Sequence, residues 1–183
     1  MQKINYFELL EEISLLSARA VFLATGNTRQ ALQKSLSECR ELQNQCIEKT
    51  CALEERLFTD FLPPLERRSI AEAAHGMGKI IECCYKTIFQ KLQRTGYDKR
   101  AREQEACLKL SEIIEESVAL LKKIKKPNQI PRAKEFREIL ASARKTARLS
   151  QKKQSPSSLC MLELCEELSD CFDKIIEIML CNI

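Results

Sequence analysis

Helix breakers are scarce in this chain and sit far apart, and that spacing constrains its fold more than any other feature. The 183 residues contain only four glycines and five prolines. Glycine and proline are the residues that interrupt helices, by backbone freedom and by a missing N–H respectively. Here they fall at Gly26, Pro63-Pro64, Gly76, Gly78, Gly96, Pro127, Pro131 and Pro156. Most segments between them are of helical length and carry apolar residues stepping by three and four. Phe7, Leu10, Ile13, Leu16, Ala20 and Leu23 are one such row.

The punctuation predicts six helices. The first runs from about Asn5 to Gly26-Asn27, and the second from a Thr28 cap to about Phe61, before Pro63-Pro64. A third spans about Glu66 to Leu92 and ends near Gly96; a fourth carries Leu108, Ile113, Ile114, Val118 and Leu121 and stops before Pro127. Pro131 suits the first turn of a fifth, ending near Gln154. Ser155-Pro156-Ser157 reads as a turn, with Ser157 or Ser158 capping a last helix through Leu180. No β-branched alternating run competes. The expected fold is all-α, an antiparallel bundle of six helices in two three-helix units, with residues 1–183 as one domain.

Charge is unevenly distributed. Lys122 to Lys153 holds 12 Lys or Arg against Glu135 and Glu138, a net of +10, which leaves −6 for the rest of a chain whose total is +4. A solvated helix face is the ordinary meaning of such a block. No stretch approaches the roughly 18 uninterrupted apolar residues of a membrane span. Met1 to Leu16 carries Glu8, Glu11 and Glu12 and does not resemble a signal peptide. A cytoplasmic protein is therefore expected. The ten cysteines contain no CxxC pair, so small apolar packing in a reducing compartment is favoured over zinc or disulfides.

Three stretches carry a resemblance. They are Tyr6-Phe7-Glu8-Leu9-Leu10-Glu11-Glu12; Leu57-Phe58-Thr59-Asp60-Phe61-Leu62-Pro63-Pro64-Leu65-Glu66-Arg67-Arg68-Ser69-Ile70; and Glu163-Leu164-Cys165-Glu166-Glu167-Leu168-Ser169-Asp170-Cys171-Phe172-Asp173. Together with helix order and length, they resemble the divergent PhoU-like family, bacterial helical proteins that accompany phosphate permeases of the Pit type. The resemblance implies a PhoU-like bundle and a non-enzymatic regulator or accessory of phosphate transport. The implied partner is an inorganic phosphate permease, with membrane contact only through the transporter and a homo-oligomer as a further option.

The family's metal-binding E-x-x-x-D pairs are largely missing. Outward from the proline turn, the second-helix pair falls at Gln43 and Ile47, and the third-helix triplet at Gly78, Lys79 and Glu82. No Asp or Glu occurs from Ile139 through Gln154. Glu82, Glu166, Asp170 and Asp173 are the remaining candidate ligands, and the residues disfavour a divalent metal or iron cofactor. In the fifth helix, Phe136, Leu140, Ala143 and Ala147 form an apolar stripe beside Arg137, Arg144 and Arg148. Arg144 or Arg148 meeting Asp170 or Asp173 would put a guanidinium where the family holds a cation. An exposed ion pair of little consequence is an equally available reading.

Arg137, Arg144, Arg148 and Lys152 are the candidate contacts for a partner or an anion. The alternatives are a metal- or anion-binding sensor and a basic nucleic-acid adaptor. The latter is unlike known binders in lacking interleaved aromatics and a recognised motif. Gly76-Met77-Gly78 lacks the strand and the GKS or GKT ending of a phosphate loop, so it reads as close helix packing. His75, with no orienting group or pocket in view, offers no catalytic dyad with a cysteine. No catalytic residue is expected.

Overall fold

The computed structural model describes residues 6–25, 28–59, 66–93, 101–121, 134–135, 137–139, 141–142, 145 and 156–181. Among them no strand occurs. The helices are α1 (Tyr6–Ala24), α2 (Arg29–Thr59), α3 (Arg67–Leu92), α4 (Ala101–Leu120) and α6 (Pro156–Cys181). The described residues of 134–145 are helical too and are called α5. The all-α bundle expected from the breakers is the observed fold.

Helix ends follow local chemistry. The Thr28 hydroxyl accepts the Ala31 N–H at 3.2 Å, satisfying one of the orphan donors that open α2. Lys91 of α3 donates to the Ala24 carbonyl at 2.6 Å, placing a cation at the negative end of α1. At the start of α3, Glu66 occupies the cap position with extended backbone but makes no side-chain cap. Its carboxylate instead accepts the Ser69 hydroxyl at 2.9 Å. The last helix begins earlier than expected. Pro156 and Ser157 are already helical, so the turn read at Ser155-Pro156-Ser157 is corrected. Proline is suited to a first turn, where its absent N–H would lack an intrahelical partner in any case.

Packing follows a ring. α1 lies against α3, α3 against α6, α6 against α4 and α4 against α1, while α2 packs on the α1–α3 side. Bonds between α1 and α2 fix their antiparallel register. Tyr6 donates to the Arg56 carbonyl at 3.3 Å, Lys49 pairs with Glu12, and Arg19 pairs with Glu38 at 2.8 Å. The outer and inner helices differ in how much they bury. α2 contributes a narrow stripe, Leu32, Ser35, Cys39, Leu42, Cys46, Thr50, Leu53 and Leu57, stepping by three and four. α6 buries a broad arc that includes Met161, Leu164, Cys165, Leu168, Cys171, Phe172, Ile175, Ile178 and Met179. Each fully buried Leu or Ile contributes about 1.5–3 kcal/mol relative to exposure.

Candidate functional site

The broad buried arc of α6 leaves a thin edge for solvent, and that edge is acidic. Glu163, Glu166, Asp170, Asp173 and Glu177 are all exposed and recur every three or four residues. Three of the four ligand candidates, Glu166, Asp170 and Asp173, belong to this row. Among the described residues none of these three makes an ion pair.

The fourth candidate, Glu82, is exposed on α3 and pairs with Lys86 one turn later at 2.9 Å. The structure sets it near a different pair of α6 carboxylates. Burial pushes the Cys83 thiol up to about 11, and the carboxylates of Glu167, Glu163 and Glu82 add to the effect. Lys86 is held protonated above its ordinary range, chiefly by its bond to Glu82, with a contribution from Glu163. The other end of the α3–α6 rim has its own cluster. Arg68 bonds Glu72 at 2.8 Å and lowers its pKa, with Lys174 acting in the same direction. The Arg68 pKa is raised chiefly by that bond to Glu72, with Glu66 and Glu177 adding smaller contributions.

Glu163, Glu167, Lys174 and Glu177 are thus rim residues that sequence reasoning passed over. The i,i+4 pairs Arg68–Glu72 and Glu82–Lys86 were legible as spacing. Their α6 neighbours required knowing that α6 lies along α3. Among the described residues no group of three or more His, Cys, Asp or Glu is placed to hold a metal ion.

The positions where the resemblance would put further ligands have other chemistry. Ile47 is 55% exposed, and Lys79 is exposed. A side chain at Gly78 would face the Cys46 sulfur, its Cβ 3.7 Å away. Gly76 sits tighter still, its would-be Cβ 3.3 Å from Cys171 Cβ, so this glycine serves close helix packing. His75 is exposed and its Nε2 lies 2.8 Å from a Glu54 carboxylate oxygen, across the α2–α3 seam.

Nine cysteine side chains are described, and no disulfide joins them. All but Cys51 are buried. Burial pushes Cys39 up to about 11 and Cys171 up to about 12, and raises Cys84 well above the ordinary value. Thiols held this far from ionisation are poor nucleophiles. Two are anchored on backbone: Cys39 donates to the Ile81 carbonyl at 3.7 Å and Cys171 to that of Ala73 at 4.0 Å.

Of the basic candidates, Arg137 is exposed on α5 beside the exposed Lys134 and Lys145. Arg144, Arg148 and Lys152 lie outside the described residues, and so do Phe136, Leu140, Ala143 and Ala147. The pairing of Arg144 or Arg148 with Asp170 or Asp173 therefore falls outside them too. Ile139 packs against the core from α5. On α4 the Lys109 pKa is raised chiefly by its bond to Glu105, and Glu135 of α5 adds a smaller contribution.

The chain matches no protein-family model and no curated protein.

Proposed function

We propose that this chain is a non-enzymatic regulator or accessory protein of phosphate transport, acting by docking onto a protein partner. The observation that carries the reading is the acidic row along the exposed edge of α6. The α6 edge presents Glu163, Glu166, Asp170, Asp173 and Glu177, whereas the described residues of α5 mix Lys134, Arg137 and Lys145 with Glu135 and Glu138, and Lys134 pairs with Glu138 at 3.9 Å. An edge of one sign on a packed bundle steers encounter and fixes orientation better than it supplies raw affinity. Among the described cysteines only Cys51 is exposed, and no histidine stands beside it, since His75 pairs with Glu54. Among the described residues no helix is long and apolar enough to cross a membrane. On this reading, contact with a bilayer runs through the transporter.

The PhoU-like resemblance of the three sequence stretches names the partner class, an inorganic phosphate permease. Co-expression with such a permease in detergent-solubilised membranes, followed by affinity capture, tests the proposal. Retention that weakens with rising salt is the expected result, reduced about tenfold by Asp170→Lys with Asp173→Lys. Absence of retention at any ionic strength overturns it.

A further inference from the structure

Cys107 of α4 and Cys165 of α6 face each other with their sulfurs 3.7 Å apart. They are separated by 58 residues of chain and are 0% and 1% exposed. Several other buried thiols are placed differently. Cys39 and Cys171 point at backbone carbonyls, and Cys46 lies 4.0 Å from the Thr50 hydroxyl. Cys51 is exposed. Cys83 and Cys84 are neighbours on one helix, where a disulfide would distort the backbone.

We propose that Cys107 and Cys165 are an oxidative crosslinking site, joined by peroxide into a disulfide that ties α4 to α6. The sulfurs must approach from 3.7 Å to about 2.0 Å, a movement of side-chain scale. One thiolate attacks a peroxide oxygen, giving a sulfenic acid while the departing hydroxide takes up a proton as water. The second thiolate attacks the sulfenic sulfur, forming the S–S bond and expelling the oxygen as a second water. The two thiols lose two electrons and two protons, and hydrogen peroxide is reduced to two waters. Peroxide is close to water in size and reaches the seam when α4 and α6 open locally.

The position of the pair gives the bond a consequence. It closes the loop that contains Lys122 to Lys153, so both ends of the basic segment are tied to one fixed point. Crosslinking a loop of this length restricts the unfolded chain and raises the melting temperature by about 10 °C. The bond forms whatever the bundle docks onto, so its test does not depend on the transport reading.

The full-length reduced protein is incubated with a small molar excess of hydrogen peroxide, trapped with N-ethylmaleimide, denatured, digested with trypsin and analysed without reductant. The expected product is a peptide pair joined through Cys107 and Cys165, lighter by two hydrogens and released by dithiothreitol. Fragmentation assigns the sulfur, because Cys160 and Cys171 share the tryptic peptide of Cys165. Cys51→Ala leaves the product in place, whereas Cys107→Ala removes both it and the rise in melting temperature. Recovery of Cys107 and Cys165 as maleimide adducts after Cys51 has been oxidised overturns the proposal. A dominant Cys39–Cys84 crosslink does the same. Both results are read on the unmutated chain, so neither depends on a variant folding.

Discussion

Two glycines two residues apart on α3 face cysteines on different helices, and the gaps are not the same. A Cβ at Gly76 would stand 3.3 Å from Cys171 Cβ and 3.5 Å from its Cα, on the α6 side. A Cβ at Gly78 would stand 3.7 Å from Cys46 Sγ, on the α2 side. The first is a close approach that involves backbone; the second is an ordinary contact with the end of a small side chain. The difference matches the two helices. α6 is an inner helix buried over a wide arc, while α2 rides outside on one narrow stripe. Close packing at the inner seam depends on a missing side chain, whereas the outer seam has room for one.

The largest effect expected is alkaline unfolding, and it should be greater for the inner seam. The thiols of Cys39 and Cys171 have folded-state pKa values of about 11 and about 12, both raised by burial from 9.0. A raised folded pKa means that the native state holds its proton more tightly. The stability tied to that proton is complete below about pH 9 and is lost as pH climbs through the folded values. At about 1.4 kcal/mol per pH unit, Cys171 alone stands for something on the order of 4 kcal/mol. Urea unfolding between pH 8 and 12 should show a steep fall, with Cys171→Ala flattening it more than Cys39→Ala. Equal slopes in the two variants would erase the contrast between the seams.

Substitution at the glycines is the more direct comparison. Gly76→Val forces a branched side chain against Cys171 and should cost about 1–3 kcal/mol in denaturant unfolding. Gly78→Ala should act in the opposite sense. Its methyl meets Cys46 at ordinary distance, and replacing a mid-helix glycine by alanine gains about 1 kcal/mol of helix propensity. Opposite signs sharpen the distinction. Losses at both positions would mean that α2 packs as tightly as α6.

Much of this fold was legible from punctuation. Thr28 does cap α2, and the apolar steps of α1 do mark its inner face, with Leu10, Ile13, Ala20 and Leu23 buried. Gly76-Met77-Gly78 was readable as a packing element because no strand or GKS ending accompanied it. Pro156 was misread as part of a turn, since a proline ending one segment and a proline opening the next helix look alike in sequence. The site was less legible. Spacing places Glu166, Asp170 and Asp173 on one edge of α6, but it cannot say which helix runs beside that edge. Glu163 and Glu167 near Glu82, and Cys107 against Cys165, depend on the order of helices around the ring. That order is set by many buried contacts together, and no local motif encodes it.

The smallest effect should be at the rim of the outer seam, where His75 and Glu54 join α3 to α2. Their 2.8 Å contact is short, yet the side chains are 57% and 36% exposed. An exposed pair gives up side-chain freedom to form and gains only a screened attraction, so about 0–1 kcal/mol is at stake. His75→Ala should therefore leave the denaturation midpoint almost where it was, and Glu54→Ala should match it. The double variant should then equal the sum of the two within error, since a weak pair leaves little coupling energy. A loss above about 2 kcal/mol in either single variant would show that the α2–α3 seam depends on this polar contact. α2 would then be held at its rim as well as by its buried stripe, and the contrast between a tight inner seam and a looser outer one would have to be redrawn around His75.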